Sequence, residues 1–208
     1  MGYINHSMTS KIITSMGKTD GLRSAQSLRG YIERVFSIAL LDLYTIATEP
    51  NIKQIVAGEE TPHALEQRMH AMMNRQPLYD SIIVLNTQGI TMVSTSGSVG
   101  ANRVDREYFQ ASMKGETFVS PVETNRRTGH LASFISIPIR DGAQGPVIGV
   151  AMCAVHIQKL NSNYVASITS MLGSYGFAMI VNHEGKIIGH KNTAMLGERI
   201  AEDMLRHL

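Results

Sequence analysis

The sequence predicts an α+β fold in which a long N-terminal helix precedes antiparallel sheets. Three observations carry this. First, a strand-turn-strand signal occurs twice, at Ser81 to Ile90 and at Phe177 to Lys186. In each copy an apolar run ends at Asn (Asn86, Asn182) and Gly follows three residues later (Gly89, Gly185), so the copies lie 96 positions apart. Asn and Gly both tolerate the positive φ of a tight antiparallel turn. Hairpins of this kind are common enough for two to coincide, yet a repeated signal also marks a repeated module. Second, apolar residues between Leu22 and Gly58 recur every three to four positions, the period of an amphipathic helix. Third, from Leu78 the period shortens and strand-like runs follow one another across short loops, which calls for antiparallel pairing.

Taken in order, residues 1 to 20 carry no strong pattern. Ile32, Phe36, Ala39 or Leu40, Leu43 and Ile46 or Ala47 form the apolar stripe of the first helix, which Pro50 and Asn51 kink or break. Thr61-Pro62 reads as a helix start, with Thr61 as N-cap and Pro62 in the first turn. That helix runs to about Asn74, and its Met69, Met72 and Met73 read as core filler. Ser81 to Asn86 and Ile90 to Thr95 make the first hairpin, and Ser96 to Ala101 a loop. Asp105 to Met113 makes a short helix ending at Gly115. Thr117 to Thr124 and His130 to Ile139 read as strands about the turn Asn125 to Gly129. Asp141 to Pro146 is a second tight turn, leading into a strand from Val147 to Ile157. Gln158 to Leu172 reads as a helix capped by Gly173, and Ala201 to Leu208 as helical. Only 23 residues follow Gly185, so the second module is expected to be incomplete and the chain a piece of a longer one.

Composition narrows the function classes. The chain has 208 residues, 43% of them hydrophobic, and a net charge of +2, so a large core is available and a dense basic face for nucleic acid is not expected. Arg126-Arg127 is the one adjacent basic pair and reads as a solvated loop tip. Cys153 is the sole cysteine, which excludes an internal disulfide framework; within its apolar run it reads as a small buried side chain. The most apolar stretch, Val35 to Ala47, is 13 residues long and contains Asp42, too short for a membrane span of about 20 residues. No export signal is legible at the N-terminus. There is no phosphate-binding glycine loop and no nucleophile elbow, and alternation along the strand sets Cys153 and His156 on opposite faces. An enzyme is therefore not expected.

Several short segments carry a resemblance when taken together: Asp105-Arg106-Glu107-Tyr108-Phe109, Val119-Ser120-Pro121, Ser136 to Asp141, Gly149-Val150, Gly173 to Ala178, and Val181 to His190. In that order and spacing, from about Leu22 to Leu208, the chain resembles the extracytoplasmic double Cache sensor domain of bacterial chemotaxis receptors and related transmembrane signalling proteins. The resemblance implies two PAS-like sheets stacked along the long helix. It implies an N-terminal helical stalk and connecting helix over 1–77, a membrane-distal ligand-binding module over 78–158, a linking helix over 159–176, and the start of a truncated membrane-proximal module over 177–208. It further implies membrane spans outside this piece, with a signalling output beyond them, placing the domain on the periplasmic or extracellular face of the inner membrane.

Within the distal module the resemblance assigns Arg106 and Tyr108 to the pocket. A guanidinium holds a carboxylate through two parallel hydrogen bonds, and Tyr offers a hydroxyl and a flat apolar face. Arg106 has a second reading, as a surface group that caps a carbonyl or pairs with Asp105 or Glu107. Receptors of this family that bind amino acids often carry Asp shortly after a Gly-Val run in the last strand; here Ala154 holds that position, and Phe109 and Val122 stand where bulkier or polar groups are expected. An α-amino acid is thus not the expected ligand. Alternation sets Met152, Ala154 and His156 on one face. The expected ligand set is Arg106, Tyr108, Phe109, His130, Ser136, Met152, Ala154 and His156, around a small organic anion. His130 and His156 each have the plainer reading of a hydrogen-bonded histidine at a strand end. The spacing of the histidines, His183-Glu184 included, shows no compact metal site, and no cofactor is expected. A homodimer through the stripe from Ile32 to Ile46 is expected, unless that stripe serves the domain's own sheets. The competing function is a structural or dimerisation module whose pocket is filled by Met152 and Phe134; a cytoplasmic PAS-like domain holding an organic cofactor is a third.

Overall fold

The structure is a computed structural model that describes residues 11–14, 18–160, 178–181, 185–190 and 192–200. Its elements in chain order are β1 (Lys11–Thr14), α1 (Lys18–Ala47), α2 (Ile52–Ala57), α3 (His63–Arg75), β2 (Tyr79–Asn86), β3 (Thr91–Ser94), α4 (Glu107–Met113), β4 (Phe118–Val119), β5 (Glu123–Thr124), β6 (Leu131–Arg140), β7 (Val147–His156), α5 (Ile157–Leu160), β8 (Ala178–Val181) and β9 (Ile187–His190). The fold is α+β, as expected. Contacts gather the chain into two compact units. One comprises Phe36–Ser120 and Ser133–Val155; the described residues of 1–35, 121–132 and 156–208 form the other.

In the first unit, α1 buries Phe36, Ala39, Leu43 and Ile46. These positions recur every three to four residues, so one stripe of the helix faces the core. The chain leaves the helix at Thr48, whose Oγ1 donates to the Tyr44 carbonyl at 2.8 Å, two residues before Pro50. Both α2 and α3 pack on β2. Gly58 closes α2 with φ +76°, a left-handed conformation that costs a glycine little. Leu65, Met69 and Met72 fill the buried side of α3, while Met73 is half-buried. The start of α3 differs from expectation. Pro62, not Thr61, is the residue before its first turn, and no side chain caps it. The Pro62 carbonyl accepts from Glu66 N at 2.8 Å, so proline with its fixed φ opens the helix and no hydroxyl cap takes part.

The larger sheet runs β3-β2-β7-β6-β4, with β5 paired to β6. The expected strand Thr117 to Thr124 is in fact two short ones. Ser120 to Val122 leave the ladder between them, and Ser120 instead accepts from Phe134 N through its Oγ at 2.9 Å while Ser120 N donates to the Phe134 carbonyl at 2.8 Å. Tyr79 anchors the helix to this sheet: its hydroxyl donates to Asp42 Oδ2 at 2.8 Å, and Arg75 Nη2 lies 3.3 Å from Asp42 Oδ1. Burial, then Cys153 and Asp42, push the Tyr79 phenol far above its ordinary range, and burial does the same to the Cys153 thiol.

In the second unit, a three-stranded sheet runs β1-β8-β9 with both pairings antiparallel. Met179, Val181, Ile187 and Ile200 pack together, with Leu196 against them. The strand β1 falls in the stretch that showed no pattern. A four-residue strand has too few alternations to declare itself in sequence. The helix α1 likewise starts at Lys18, ahead of the expected Leu22. The expected helix over Gln158 to Leu172 begins at Ile157, and its remainder, like Ala201 to Leu208, lies outside the described residues.

Candidate functional site

The loop that leaves β3 returns along the first hairpin. Arg103 N donates to the Gly89 carbonyl at 2.8 Å, and Arg106 N to the Arg103 carbonyl at 3.0 Å. This delivers Arg106 to the start of α4 in an extended conformation, φ −83° and ψ 133°. Its carbonyl accepts from Phe109 N and Gln110 N, each at 3.0 Å, so the backbone of Arg106 opens the helix while its side chain makes no cap. That side chain is 20% exposed, and Nε stands 3.7 Å from Asp105 Oδ1. Such a separation is beyond hydrogen-bond length, and Asp105 is mostly in solvent, so the pair is a loose one.

One turn of α4 buries Tyr108 and Phe109 together. The Tyr108 ring stacks on Phe134 with centroids 5.5 Å apart, an offset geometry favoured by aromatic pairs. Ser136 is fully buried beneath this turn. Its hydroxyl donates to the Tyr108 carbonyl at 2.9 Å and lies 2.8 Å from the Ser112 hydroxyl, which in turn donates to the Glu116 carbonyl at 3.0 Å. These bonds tie α4 to β6, so Ser136 serves the position of Tyr108. Met152 and Ala154 are buried on β7, opposite Ile83 and Ser81 of β2.

The remaining two expected residues belong to the other unit. His130 follows the turn in which Asn125 N donates to the His130 carbonyl and Gly129 N to the Asn125 carbonyl, both at 2.8 Å. Gly129 adopts φ +74° there, and Arg126 and Arg127 are exposed at the tip, as expected of a solvated loop. His156 ends β7, buried, and its Nδ1 accepts from Lys159 N at 3.4 Å. The two imidazoles stack with centroids 4.2 Å apart and planes at 28°. Nothing in the sequence spacing of the histidines announces this pairing. The two lie 26 positions apart in sequence, and pairing of β5 with β6, Thr124 opposite Leu131, brings the turn to that place. Arg103 is a further residue that sequence reasoning passed over: its Nε is buried and has no hydrogen-bond partner among the described residues. A lone arginine in a loop gives no signal in sequence.

The family model for the Cache domain, dCache_1, matches residues 4–206. The chain belongs to the Cache domain family. Members of that family are ligand-binding signalling domains and not catalysts. No curated protein matches the chain. Solved structures similar to this Cache domain include the ligand-binding domain of the Pseudomonas aeruginosa amino acid chemoreceptor PctC with GABA, 17% identical over 88% of this chain and 79% of that one, TM-score 0.63. The Campylobacter jejuni chemoreceptor Tlp3 ligand-binding domain with 4-methylisoleucine is 15% identical over 89% and 72%, TM-score 0.68. The sensor domain of the V. cholerae histidine kinase DctB is 9% identical over 89% and 72%, TM-score 0.67. At these identities the likeness is one of fold. Among the described residues of this Cache domain, no helix is long and apolar enough to cross a membrane.

Proposed function

We propose that this Cache domain is the extracytoplasmic small-molecule sensor of a bacterial transmembrane chemoreceptor or related signalling protein. Its ligand is a small organic carboxylate, held by the module that contains Arg106. The observation that carries this reading is the placement of Arg106. Its guanidinium is largely sheltered at the head of α4, only loosely paired with Asp105, and beside the buried Tyr108 and Phe109. A sheltered guanidinium binds a carboxylate more strongly than one in bulk water. Arg103, with its unpartnered buried Nε, adds a second donor in the same loop. Met152 and Ala154 give apolar surface on β7. Ala154 offers no carboxylate to an ammonium group, which favours a plain organic acid over an α-amino acid.

Signalling follows from a population shift: ligand favours one arrangement of the module, and α1 passes on the bias. The link in this unit is the bond from Tyr79 on β2 to Asp42 on α1. Spans outside the present chain anchor the parent protein, and the domain works as a homodimer. The stripe expected to meet a twin, Phe36, Ala39, Leu43 and Ile46 among it, is buried in the domain's own core instead, and the outward residues Ile38, Leu41 and Tyr44 of α1, three apart, supply the apolar strip for a twin helix.

Calorimetry with a panel of di- and monocarboxylic acids and α-amino acids tests the reading. Arg106→Ala is expected to weaken the best acid about tenfold or more, the loss of a charge-assisted hydrogen bond worth about 1.5–3 kcal/mol. Equal binding by wild type and variant removes Arg106 from the site. One observation favours the competing reading of a filled module. Phe134 stacks on Tyr108, and Met152 is 3% exposed, so both occupy interior space. A thermal-shift screen separates the two, because a sensor gains stability as RT ln(1 + [L]/Kd) with its ligand and a filled module gains none.

A further inference from the structure

We infer that His130 and His156 form a site for a single divalent transition-metal ion of the zinc, nickel and copper class. The pair stands on geometry that neither residue shows alone. The rings are 4.2 Å apart, and a ring nitrogen of each lies within 4.8 Å of one on the other. Two imidazole nitrogens bound to one tetrahedral ion at about 2.0–2.1 Å stand roughly 3.4 Å apart. The rings are therefore near enough to share an ion once each turns so that its in-plane lone pair points at it. His130 is the exposed member of the pair, and a change of its side-chain torsions redirects its ring nitrogens. The turn from Asn125 to His130, closed by two 2.8 Å backbone hydrogen bonds, keeps its Cα fixed meanwhile.

His156 is prepared in a different way. It is buried at the end of β7, and its Nδ1 keeps a lone pair, since it accepts from Lys159 N. At 3.4 Å that hydrogen bond is long and gives up little if the ring turns toward an ion. A neutral pair is the form that binds metal. The donor set selects the ion. Nitrogen ligands suit zinc, nickel and copper, whereas magnesium and calcium require oxygen.

The site needs neither Arg106 nor an organic ligand, so its test is independent of the sensor reading. Zinc chloride and nickel chloride are titrated by calorimetry into the metal-stripped chain at pH 7.5, with magnesium chloride and calcium chloride as controls. Wild type is expected to take up a single zinc or nickel ion and to ignore magnesium and calcium. His130→Ala, whose melting temperature is compared with wild type to show that the fold is kept, is expected to weaken zinc about tenfold or more. His63→Ala, an exposed histidine on α3, is expected to change nothing. Unchanged zinc affinity in His130→Ala overturns the proposal, and so does a wild type that takes up no zinc or nickel at millimolar concentration.

Discussion

The two hairpins, β2–β3 and β8–β9, match residue for residue once the numbering is shifted by 96. Ile83 pairs with Ser94 as Met179 pairs with His190, Val84 with Val93 as Ile180 with Gly189, and Leu85 with Thr91 as Val181 with Ile187. The register slips at the same place in both, between Val84 and Leu85 and between Ile180 and Val181. Gly89 and Gly185 share φ +77°. Even the following segment repeats with one residue added: Gly100 N donates to the Thr91 carbonyl, and Gly197 N to the Ile187 carbonyl, both at 2.8 Å. Coincidence of two common turns does not reproduce a bulge and a returning segment, so the repeat is a structural one.

The difference lies on the other edge. Met152, Ala151 and Val150 of β7 pair with Ile83, Val84 and Leu85 of β2. The equivalent edge of β8 is taken by Ile13, Ile12 and Lys11 of β1, from the opposite end of the chain. The same hairpin therefore accepts a following strand in one module and a preceding strand in the other. Turn chemistry builds the hairpin, and chain topology decides what closes it.

The comparison is broken most severely at Gly89. Its left-handed backbone disfavours any side chain, and an added Cβ meets the Val104 backbone nitrogen at 2.8 Å. Gly89→Ala is expected to cost about 2–4 kcal/mol, read from the urea midpoint. A cost under about 0.5 kcal/mol is incompatible with this geometry. A smaller effect separates the two hairpins at the pair Ile180–Gly189, where the first hairpin has Val84–Val93. A Cβ on Gly189 meets Ile180 Cδ1 at 2.7 Å, so the larger isoleucine uses the space glycine leaves. Gly189→Ala is expected to cost about 1–3 kcal/mol. In the background of Ile180→Val, which copies the first hairpin, the cost is expected to fall by about 1 kcal/mol in a double-mutant cycle. Strict additivity would show that the two side chains do not share that space.

The smallest expected effect concerns alkaline pH and belongs to the β2–β7 edge, since β1 and β8 contain neither tyrosine nor cysteine. Both groups are neutral when protonated, and the folded state holds both protons more tightly than the unfolded chain does. Below the ordinary values of 9.0 for Cys153 and 10.0 for Tyr79, both states are protonated and stability is full. As pH rises through 9.0 and then 10.0, the unfolded chain ionises first and stability declines. Cys153→Ala and Tyr79→Phe are each expected to flatten the fall in melting temperature between about pH 8 and 10.5. Curves that stay parallel to wild type rule out this linkage.

Much of this was legible in the residues. The break at Pro50, the buried methionines of α3, the turns at Gly89 and Gly115, and the apolar stripe of α1 all follow from side chains within a few positions of one another. The buried side of α4 was legible in the same way, since Tyr108 and Phe109 are consecutive and Ser136 and Phe134 alternate along one strand. The reading failed where partners are far apart. The short β1 has no period of its own, and its strand character comes from β8, some 170 residues later. Arg103 and the His130–His156 pair gave no signal because nothing in their spacing announces a shared place.

Local order of residues dictated the helices, the hairpins and their turns, because those depend on steric limits and hydrogen bonds between near neighbours. Tertiary structure decided which strand closes each sheet, that Asp42 receives the Tyr79 hydroxyl, and that two histidines 26 positions apart stack. Such contacts exist only after distant segments have surrendered their freedom together, and no short window of sequence contains the energy that repays that loss.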